Sequence, residues 1–230
     1  MYFPMSDLSS EHRNNLLHST IIPRPIAWIS TRAANGQINV APFSFFNLMS
    51  GDPPLLTVSI GSRDDKLKDT ASNIAATGEF VVNLVSYPSM ERMNITAIDF
   101  DSDVDESREA GLELEASRLV SVPRIKESPA SYECRTRQII DIDGRRLLVL
   151  ADIVGAHIDD RAILDLEKMH FDPLPLDLVA RLHNPGWYTR IHEPFKLLIP
   201  SVQQWRKGGD EPTRAQQPQA LLAEQAASGE

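Results

Sequence analysis

Residues 26–31 read IAWIST and residues 37–42 read QINVAP, and these two runs decide the fold. Both are rich in the β-branched and aromatic residues that favour strands. Between them stands Asn35-Gly36, a dipeptide typical of tight hairpin turns. Pro23 and Pro25 stand just before the first run, a position that suits the entry to a strand but not its middle. The stretch therefore predicts a β-hairpin.

The rest of the chain adds mainly strands. Similar patterns predict strands at residues 55–60, 80–85, 130–141 and 145–157, the last two joined by the turn dipeptide Asp143-Gly144. Helices are predicted at residues 66–77, where Asp69 and Thr70 would cap the start and Ile74 and Ala75 would face the core, and at residues 86–100 and 176–182, with a short helix or turn at 163–170. Because strands and helices do not alternate strictly, a doubly wound parallel sheet is disfavoured. The pattern fits a mainly β fold, an antiparallel barrel or sandwich with peripheral helices.

Three segments are expected along the chain. Residues 1–20 are polar and predict an N-terminal arm with a short helical turn. Residues 21–200 would form the single domain. Residues 201–230 are rich in Gly, Gln, Ala and Glu and predict a polar C-terminal tail with a loose helix at 220–227.

Composition and charge narrow the function. The net charge of −9 argues against nucleic acid as the main partner, since phosphate backbones are bound by basic faces. The sequence shows neither a secretory signal nor an apolar run long enough to span a bilayer, so we expect a cytoplasmic protein without a membrane partner. The six histidines show no metal-ligand spacing, and no metal is expected. Cys134, the single cysteine, is predicted as a buried structural thiol.

Two polar clusters remain as candidates for chemistry. Residues 41–47 read APFSFFN, in which aromatic rings alternate with hydrogen-bonding groups. Such a run often belongs to a core, but it also suits a flat heteroaromatic ligand. The second cluster places Arg63, Lys66 and Lys68 just before a predicted helix, where a cation and free N–H groups can hold a phosphate. A solvated loop explains the second cluster equally well on chemistry alone.

At these residues the sequence resembles the flavin-reductase-like, FMN-binding split-barrel family. The resemblance runs from about residue 20 to 188 and rests on ordered segments: RPIAWIST at 24–31, NVAPFSFFN at 39–47, DPP at 52–54, KDT at 68–70 and GEFVVNL at 78–84. It implies a Greek-key antiparallel split β-barrel that forms a homodimer. It further implies FMN as cofactor (FAD is possible), NADH or NADPH as reductant, and in many members a partner monooxygenase that receives reduced flavin.

The resemblance also implies a role for each matching position. The segment along the flavin ring corresponds to Asn39, Ala41, Pro42, Phe43 and Ser44. The strand end beside the ribityl chain corresponds to Ser59, Ile60 and Gly61. The phosphate-side loop corresponds to Arg63, Lys66, Lys68, Asp69 and Thr70. The first strand adds Trp28, Ser30 and Thr31 as further cofactor contacts.

The sequence departs from the family in two places. An Asp-His pair that some reductases carry is absent near residues 143–146, which leaves the nicotinamide contact open. Near the C-terminus only Arg181, Gly186 and Tyr188 fit the family pattern, and His183 is a candidate nicotinamide neighbour. No catalytic side chain is expected, because the flavin carries the redox chemistry. Two alternatives stay open: a flavoredoxin-like electron carrier with tightly bound FMN, and a non-catalytic split-barrel binding protein.

Overall fold

A computed structural model describes residues 1–63, 66–101, 104–191 and 193–206 of the chain. The chain divides into two compact units, Met1–Arg190 and Ile191–Glu230. In the first unit the helices are Ser10–Thr20 (α1), Asp69–Thr77 (α2), Met90–Ile95 (α3) and Glu106–Glu109 (α4). The second unit contains Val202–Arg206 (α5).

The first unit is built on strands. They are β1 (Arg24–Pro25), β2 (Ala27–Arg32), β3 (Ile38–Phe43), β4 (Phe46–Gly51), β5 (Pro54–Gly61), β6 (Glu79–Leu84), β7 (Leu114–Glu115), β8 (Arg124–Ile125), β9 (Ala130–Ile142), β10 (Arg146–Ile158), β11 (Ile163–Asp165), β12 (His170–Phe171), β13 (Val179–Arg181) and β14 (Tyr188–Arg190). Seven of them form one antiparallel sheet in the order β3-β2-β6-β9-β10-β5-β4. The prediction of a mainly β, antiparallel fold is confirmed.

The two edges of this sheet explain where a site can form. The edge strands β3 and β4 are consecutive in sequence, and the chain passes from one to the other through Ser44 and Phe45. The sheet curls around one core, but β3 and β4 do not pair, so the barrel is split along this line. Backbone groups at the free edge of β3 are therefore available to other partners.

Both faces of β2 are buried, which anchors the predicted hairpin. Ala27 and Ile29 point into the barrel with Phe80, while Trp28 packs on the outer face. The indole Nε1 of Trp28 donates a 2.9 Å hydrogen bond to Thr96 Oγ1, so its polar atom is satisfied. The hairpin is confirmed, with Trp28 opposite Pro42 across the ladder between β2 and β3.

Helix α2 closes one end of the barrel. It begins at Asp69, three residues later than predicted, because Arg63 and Lys66 first form a β-bridge. Ala71 and Ile74 face the core, whereas Ala75, predicted to do so, is exposed. The helix ends at Gly78, whose φ of +70° is the left-handed conformation that glycine adopts at helix ends.

Several predicted helices were wrong in extent or type. Residues 86–100 contain a 3₁₀ turn and the short α3 in place of one long helix. Residues 163–170, predicted as a short helix or turn, form β11, a turn at 166–169 and the start of β12, so the turn is confirmed and the helix is not. Residues 176–182 do not form the predicted helix: Leu176 ends a 3₁₀ turn, and β13 pairs with β1 and β14. In the N-terminal segment, α1 is longer than the expected single turn and is capped by Ser9 Oγ, which accepts from the His12 N–H.

The remaining predictions concern the thiol, the membrane and the tail. Cys134 is fully buried, and burial strongly raises its pKa, so the prediction of a structural thiol is confirmed. None of the helices in the described part of the chain has both the length and the apolar character that crossing a bilayer requires. The predicted helix at 220–227 lies outside the described residues, and the predicted boundaries at residues 20 and 200 stay predictions.

Candidate functional site

Two adjoining cavities open at the split in the barrel. Each has a volume of about 600 Å³, within the usual range for a small-molecule site. Pro42, Phe43, Lys68 and Ala97 line both, so the two form one groove along the free edge of β3. This places residues 41–45 of the first sequence cluster and the loop before α2 on the same site, whereas Phe46 and Asn47 line neither cavity.

The first cavity, which we call the cationic cavity, lies where β3 turns into β4. The basic side chains that line it are His18, Arg24, Lys68, Arg146 and Arg181. Ser44, Phe45, Asn184 and Tyr188 also line it. The Arg146 guanidinium lies 5.1 Å from the centre of the Phe45 ring. The pKa of His18 is lowered by burial and then by the positive charges of Arg24, Arg181 and Arg146. The cavity therefore favours anionic groups and a neutral imidazole.

The second cavity, which we call the mixed cavity, extends past the start of α2. Arg63, Lys66 and Lys68 face Asp69, Asp99, Asp101 and Glu106 across it, and Arg63 pairs with Asp99 at 3.0 Å. Burial and the neighbouring charges of Asp69 and Asp105 raise the pKa of Glu106. Cations and carboxylates thus share this wall.

The edge of β3 is held by polar contacts from outside the sheet. The Val40 N–H donates to Glu106 Oε2 at 3.3 Å, so this backbone group points away from β2. Asn39, on the same strand, donates from Nδ2 to Thr70 Oγ1 at 2.8 Å and so ties β3 to the first turn of α2. These contacts fix the edge of the strand against the helix terminus.

The N-terminus of α2 is open to a ligand. Lys68 occupies the cap position, and no side chain there bonds the first N–H groups of the helix. Asp69 and Thr70, predicted as caps, are instead the first two helical residues. Uncapped N–H groups together with a lysine form a site suited to an anion such as a phosphate.

Most of the predicted cofactor contacts come together in this groove. They are Asn39, Ala41, Pro42, Phe43, Ser44, Ser59, Gly61, Arg63, Lys66, Lys68, Asp69 and Thr70. The structure places the other four, Trp28, Ser30, Thr31 and Ile60, in the interior at 0% exposure and not on the walls of either cavity. There Ser30 donates to the Pro123 carbonyl and Thr31 accepts from Asn73, so both hydroxyls already have protein partners.

His183 lies on the loop between β13 and β14. Its ring stacks on Trp187, with centroids 5.4 Å apart, and Nδ1 is 2.9 Å from the Asn184 carbonyl oxygen. It does not line the cationic cavity, although its neighbours Asn184 and Gly186 do. Its role toward a nicotinamide stays a prediction.

Sequence reasoning missed several side chains of the groove. Among them are His18, Arg24, Glu106, Arg146 and Asn184. They come from α1, β1, α4, β10 and loops far apart in sequence, and no local spacing connects them. The one available signal was Arg24 between two prolines, which marked an unusual strand entry without indicating a ligand.

The hydrogen bond between Asn39 and Thr70 gives a first test of how β3 is held against α2. Thr70→Val keeps the shape but leaves the buried Asn39 amide without its acceptor, so we expect a loss of about 1–2 kcal/mol of stability. That corresponds to a melting temperature about 3–6 °C lower, measured by calorimetry. Ser72→Ala, at an exposed position of the same helix, is the control and should stay within about 0.5 kcal/mol of the parent. Equal melting curves for the two variants would contradict the role given to this bond.

The fold and the groove together define a class: a split-barrel protein with a cofactor-sized cleft at the open seam. The family model "Flavin reductase like domain" matches residues 18–174. The chain belongs to the flavin reductase-like family.

Solved structures agree with this assignment. Nitrilotriacetate monooxygenase component B from Bacillus cereus superposes with a TM-score of 0.81 at 28% identity, covering 86% of this chain and 98% of that one. The 2-nitrobenzoate 2-nitroreductase NbaA of Pseudomonas fluorescens gives 0.79 at 32% identity, covering 88% and 98%. A split-barrel-domain protein of Shewanella frigidimarina gives 0.75 at 22% identity, covering 87% and 100%, a likeness that shows the fold alone. The predicted split barrel is confirmed.

Proposed function

We propose that this protein is an FMN-binding oxidoreductase, an NAD(P)H-dependent flavin reductase that supplies reduced flavin to a partner monooxygenase. One observation carries the proposal: Lys68 and the uncapped start of α2 adjoin the free edge of β3 in one groove. A phosphate site beside a strand edge with an aromatic residue is what a flavin mononucleotide requires.

The residues present fit FMN at each of its parts. Lys68 and the first N–H groups of α2 would hold the phosphate. Ser59 and Gly61, at the end of β5, would adjoin the ribityl chain, and Phe43 lines both cavities, where a flat ring system would pack. The edge of β3 and the Ser44 hydroxyl would meet the polar rim of the ring.

The protein's own part would then be to bind the flavin and to orient the groups around it. Bound FMN would supply the redox chemistry, taking a hydride from a nicotinamide and passing electrons on. Arg24 Nε lies 3.5 Å from Ser44 Oγ and orients this hydroxyl at the turn between β3 and β4. The Ser44 hydroxyl and the positive cationic cavity would stabilise negative charge that develops on the ring. Pro42 has no N–H, and the N–H groups of Ala41 and Phe43 point to β2, since that of Val40 points away from it.

Two classes of electron acceptor are consistent with the solved structures that this chain resembles. The likeness to a monooxygenase component B supports a monooxygenase as the partner that consumes reduced flavin. The likeness to a 2-nitrobenzoate nitroreductase, at 32% identity, favours a second candidate: direct reduction of a small organic acceptor bound in the groove. The two differ in whether the flavin leaves the protein.

We further propose a homodimer. The edge strand β4 exposes Leu48 and Met49 at 60% and 51%, beside the open seam of the barrel. Apolar side chains on an unpaired strand edge are usually covered by a partner. A second copy of the chain is the partner that the family resemblance implies.

The deciding experiment is a visible spectrum of the purified protein with added FMN, followed by anaerobic addition of NADH and, separately, NADPH. Flavin bands that shift on binding and bleach within seconds of adding either nucleotide support the reductase. Retention of the reduced flavin on a desalting column favours direct reduction of a bound acceptor, and its release favours supply to a monooxygenase. A protein that binds no flavin at any concentration contradicts the proposal.

A further inference from the structure

The cationic cavity carries more positive charge than one phosphate requires. Arg24, Arg146 and Arg181 all reach its walls, together with His18, and none of its described lining residues is an aspartate or glutamate. This is unusual in a chain whose net charge is −9. Like charges gathered in a concave site repel one another unless an anion is bound there.

The arginines in this cavity are held only by neutral groups. Arg24, 8% exposed, donates to the carbonyls of His18, Ile21 and Leu182 at 2.6–3.0 Å. Arg181 donates to Tyr188 Oη and, at 2.9 Å, to Asn184 Oδ1. In the described part of the chain, no carboxylate lies within ion-pair distance of either guanidinium.

Many arginines elsewhere on the molecule have a carboxylate partner. Carboxylates within 4 Å neutralise these arginines, as in the pairs Arg92–Glu127, Arg137–Asp152, Arg161–Asp159 and Arg190–Asp177. Among the described residues, Arg13 and Arg32 also bond only neutral groups, so the lack of a carboxylate partner is not confined to the cavity. Arg24 and Arg181 differ from them in sharing one concave site with two further cations, Arg146 and Lys68. The two guanidiniums are positioned by fixed neutral contacts, and their charge stays uncompensated.

One flavin phosphate cannot neutralise both ends of the groove. The proposed function places that phosphate at Lys68 and the start of α2, so Arg24 and Arg181, beside the neutral His18, need a second anion. Arg181 uses two of its five N–H groups on Tyr188 and Asn184, and a guanidinium with free N–H groups matches the two oxygens of a carboxylate. Phe43, Phe45 and Tyr188 line the same cavity and favour a flat molecule.

We propose that Arg181, Arg24 and His18 form a subsite for the carboxylate of a small planar organic acid, the class of acceptor reduced at this groove. The inference rests on the proposed function and deepens its second candidate. The acid would lie in the cationic cavity with its charged end on Arg181 and its flat body against the aromatic side chains. Arg24, buried and tied to three carbonyls, would act mainly through its fixed charge.

The test compares benzoate with the uncharged isostere benzamide on the FMN-loaded protein at pH 7, following the flavin spectrum. Benzoate should perturb the bands and bind at least tenfold more tightly than benzamide. Arg181→Gln should weaken benzoate binding by at least tenfold while the FMN dissociation constant stays within twofold. Arg181→Lys, which keeps the charge but not the planar fork, should give an intermediate loss. Arg190→Gln is the matched control, since Arg190 pairs with Asp177 outside the groove.

Several outcomes would overturn the inference. Displacement of FMN by benzoate, or equal weakening of FMN and benzoate in Arg181→Gln, would assign the arginines to the flavin phosphate. A raised KM for NADH but not for an uncharged dihydronicotinamide, with benzoate binding intact, would assign them to the phosphates of the dinucleotide. Equal affinity for benzoate and benzamide would remove the carboxylate subsite.

Failure of the proposed function is distinguishable from failure of this subsite. If the protein binds no FMN, calorimetric titration of the same protein with benzoate and benzamide still tests the carboxylate subsite. A preference for benzoate that Arg181→Gln abolishes supports the subsite without the flavin, and its absence overturns the subsite as well.

Discussion

Replacing Lys68 with glutamine is expected to weaken FMN binding by about ten- to hundredfold, since a hydrogen bond to a charged group contributes about 1.5–3 kcal/mol. Lys68 lines both cavities and stands at the uncapped start of α2. It is an exposed residue that makes no side-chain cap bond, so the melting temperature of the flavin-free protein should be unchanged. The measurement is a titration of FMN with the protein, followed by flavin fluorescence.

Riboflavin, which lacks the phosphate, separates a phosphate contact from a general loss of the site. The affinity for riboflavin should be the same in the parent and in Lys68→Gln. The difference in FMN affinity between the parent and the variant should shrink as salt is added. Lys168→Gln is the control, because Lys168 is exposed and pairs with Asp165. An equal drop for riboflavin and FMN would show that Lys68 does not contact the phosphate and would move the flavin elsewhere in the groove.

The local parts of this fold could be predicted because their signals are local. The runs at 26–31 and 37–42, the Asn35-Gly36 turn and the Asp143-Gly144 turn give strand pairs whose ends lie within a residue or two of the predicted ones. Turn dipeptides and β-branched runs act over a few residues, and the pairing of the two strands extends outward from the turn between them.

Elements that depend on distant partners were predicted less well. Residues 176–182 are predicted as a helix, but Ala180 and Arg181 pair with Pro25 and Arg24, far earlier in the chain. Helix α1 has no buried residue and therefore no apolar periodicity that could reveal it. The pairing partner β1 is distant in sequence from β13, whereas α1 has a local cap, Ser9, but no apolar face.

The candidate site shows the same limit. Its β3 edge and its Lys68–Thr70 corner follow from contiguous segments, so sequence reasoning brought them together correctly. The charge of the cationic cavity comes from Lys68 and from Arg24, Arg146 and Arg181. Arg24 and Arg181 are opposite each other in the β1–β13 ladder of a separate three-stranded sheet, and Arg146 lies on β10 of the seven-stranded sheet, so their meeting depends on contacts distant in sequence. Side chains alternate between the two faces of a strand, so Trp28 and Ser30 lie on the outer face of β2, under the segment at 121–125. Neither side chain therefore lines the groove.

Outside the groove, a buried carboxylate, Glu133, holds the segment at residues 118–120 against the sheet. Its oxygens accept hydrogen bonds from the backbone N–H groups of Arg118, Leu119 and Val120 at 2.6–3.1 Å. The ring Nε2 of His157 lies 2.6 Å from Oε1. Four donors thus converge on a side chain that is 1% exposed.

Glu133→Gln is expected to destabilise the protein by about 3 kcal/mol. The glutamine would turn an NH₂ group toward backbone N–H donors, leaving buried groups unpaired and removing charge-assisted bonds. For a chain of this size that loss corresponds to a melting temperature about 6–12 °C lower, measured by calorimetry at pH 7. Glu113→Gln is the control: Glu113 is exposed and pairs with Lys126, so the change should stay within about 0.5 kcal/mol.

The difference between the parent and Glu133→Gln should also depend on pH. Burial alone would raise the pKa of Glu133, but the backbone N–H groups and His157 outweigh it, so the pKa lies below the ordinary glutamate value. A carboxyl group whose pKa is lowered by folding stabilises the protein above its unfolded pKa, and that contribution is lost as the pH falls through the folded pKa. The gap in unfolding free energy should therefore be full at pH 6–7 and shrink below about pH 4. A gap that stays constant down to pH 3 would mean that Glu133 stabilises this segment by shape and neutral hydrogen bonding, not by its charge.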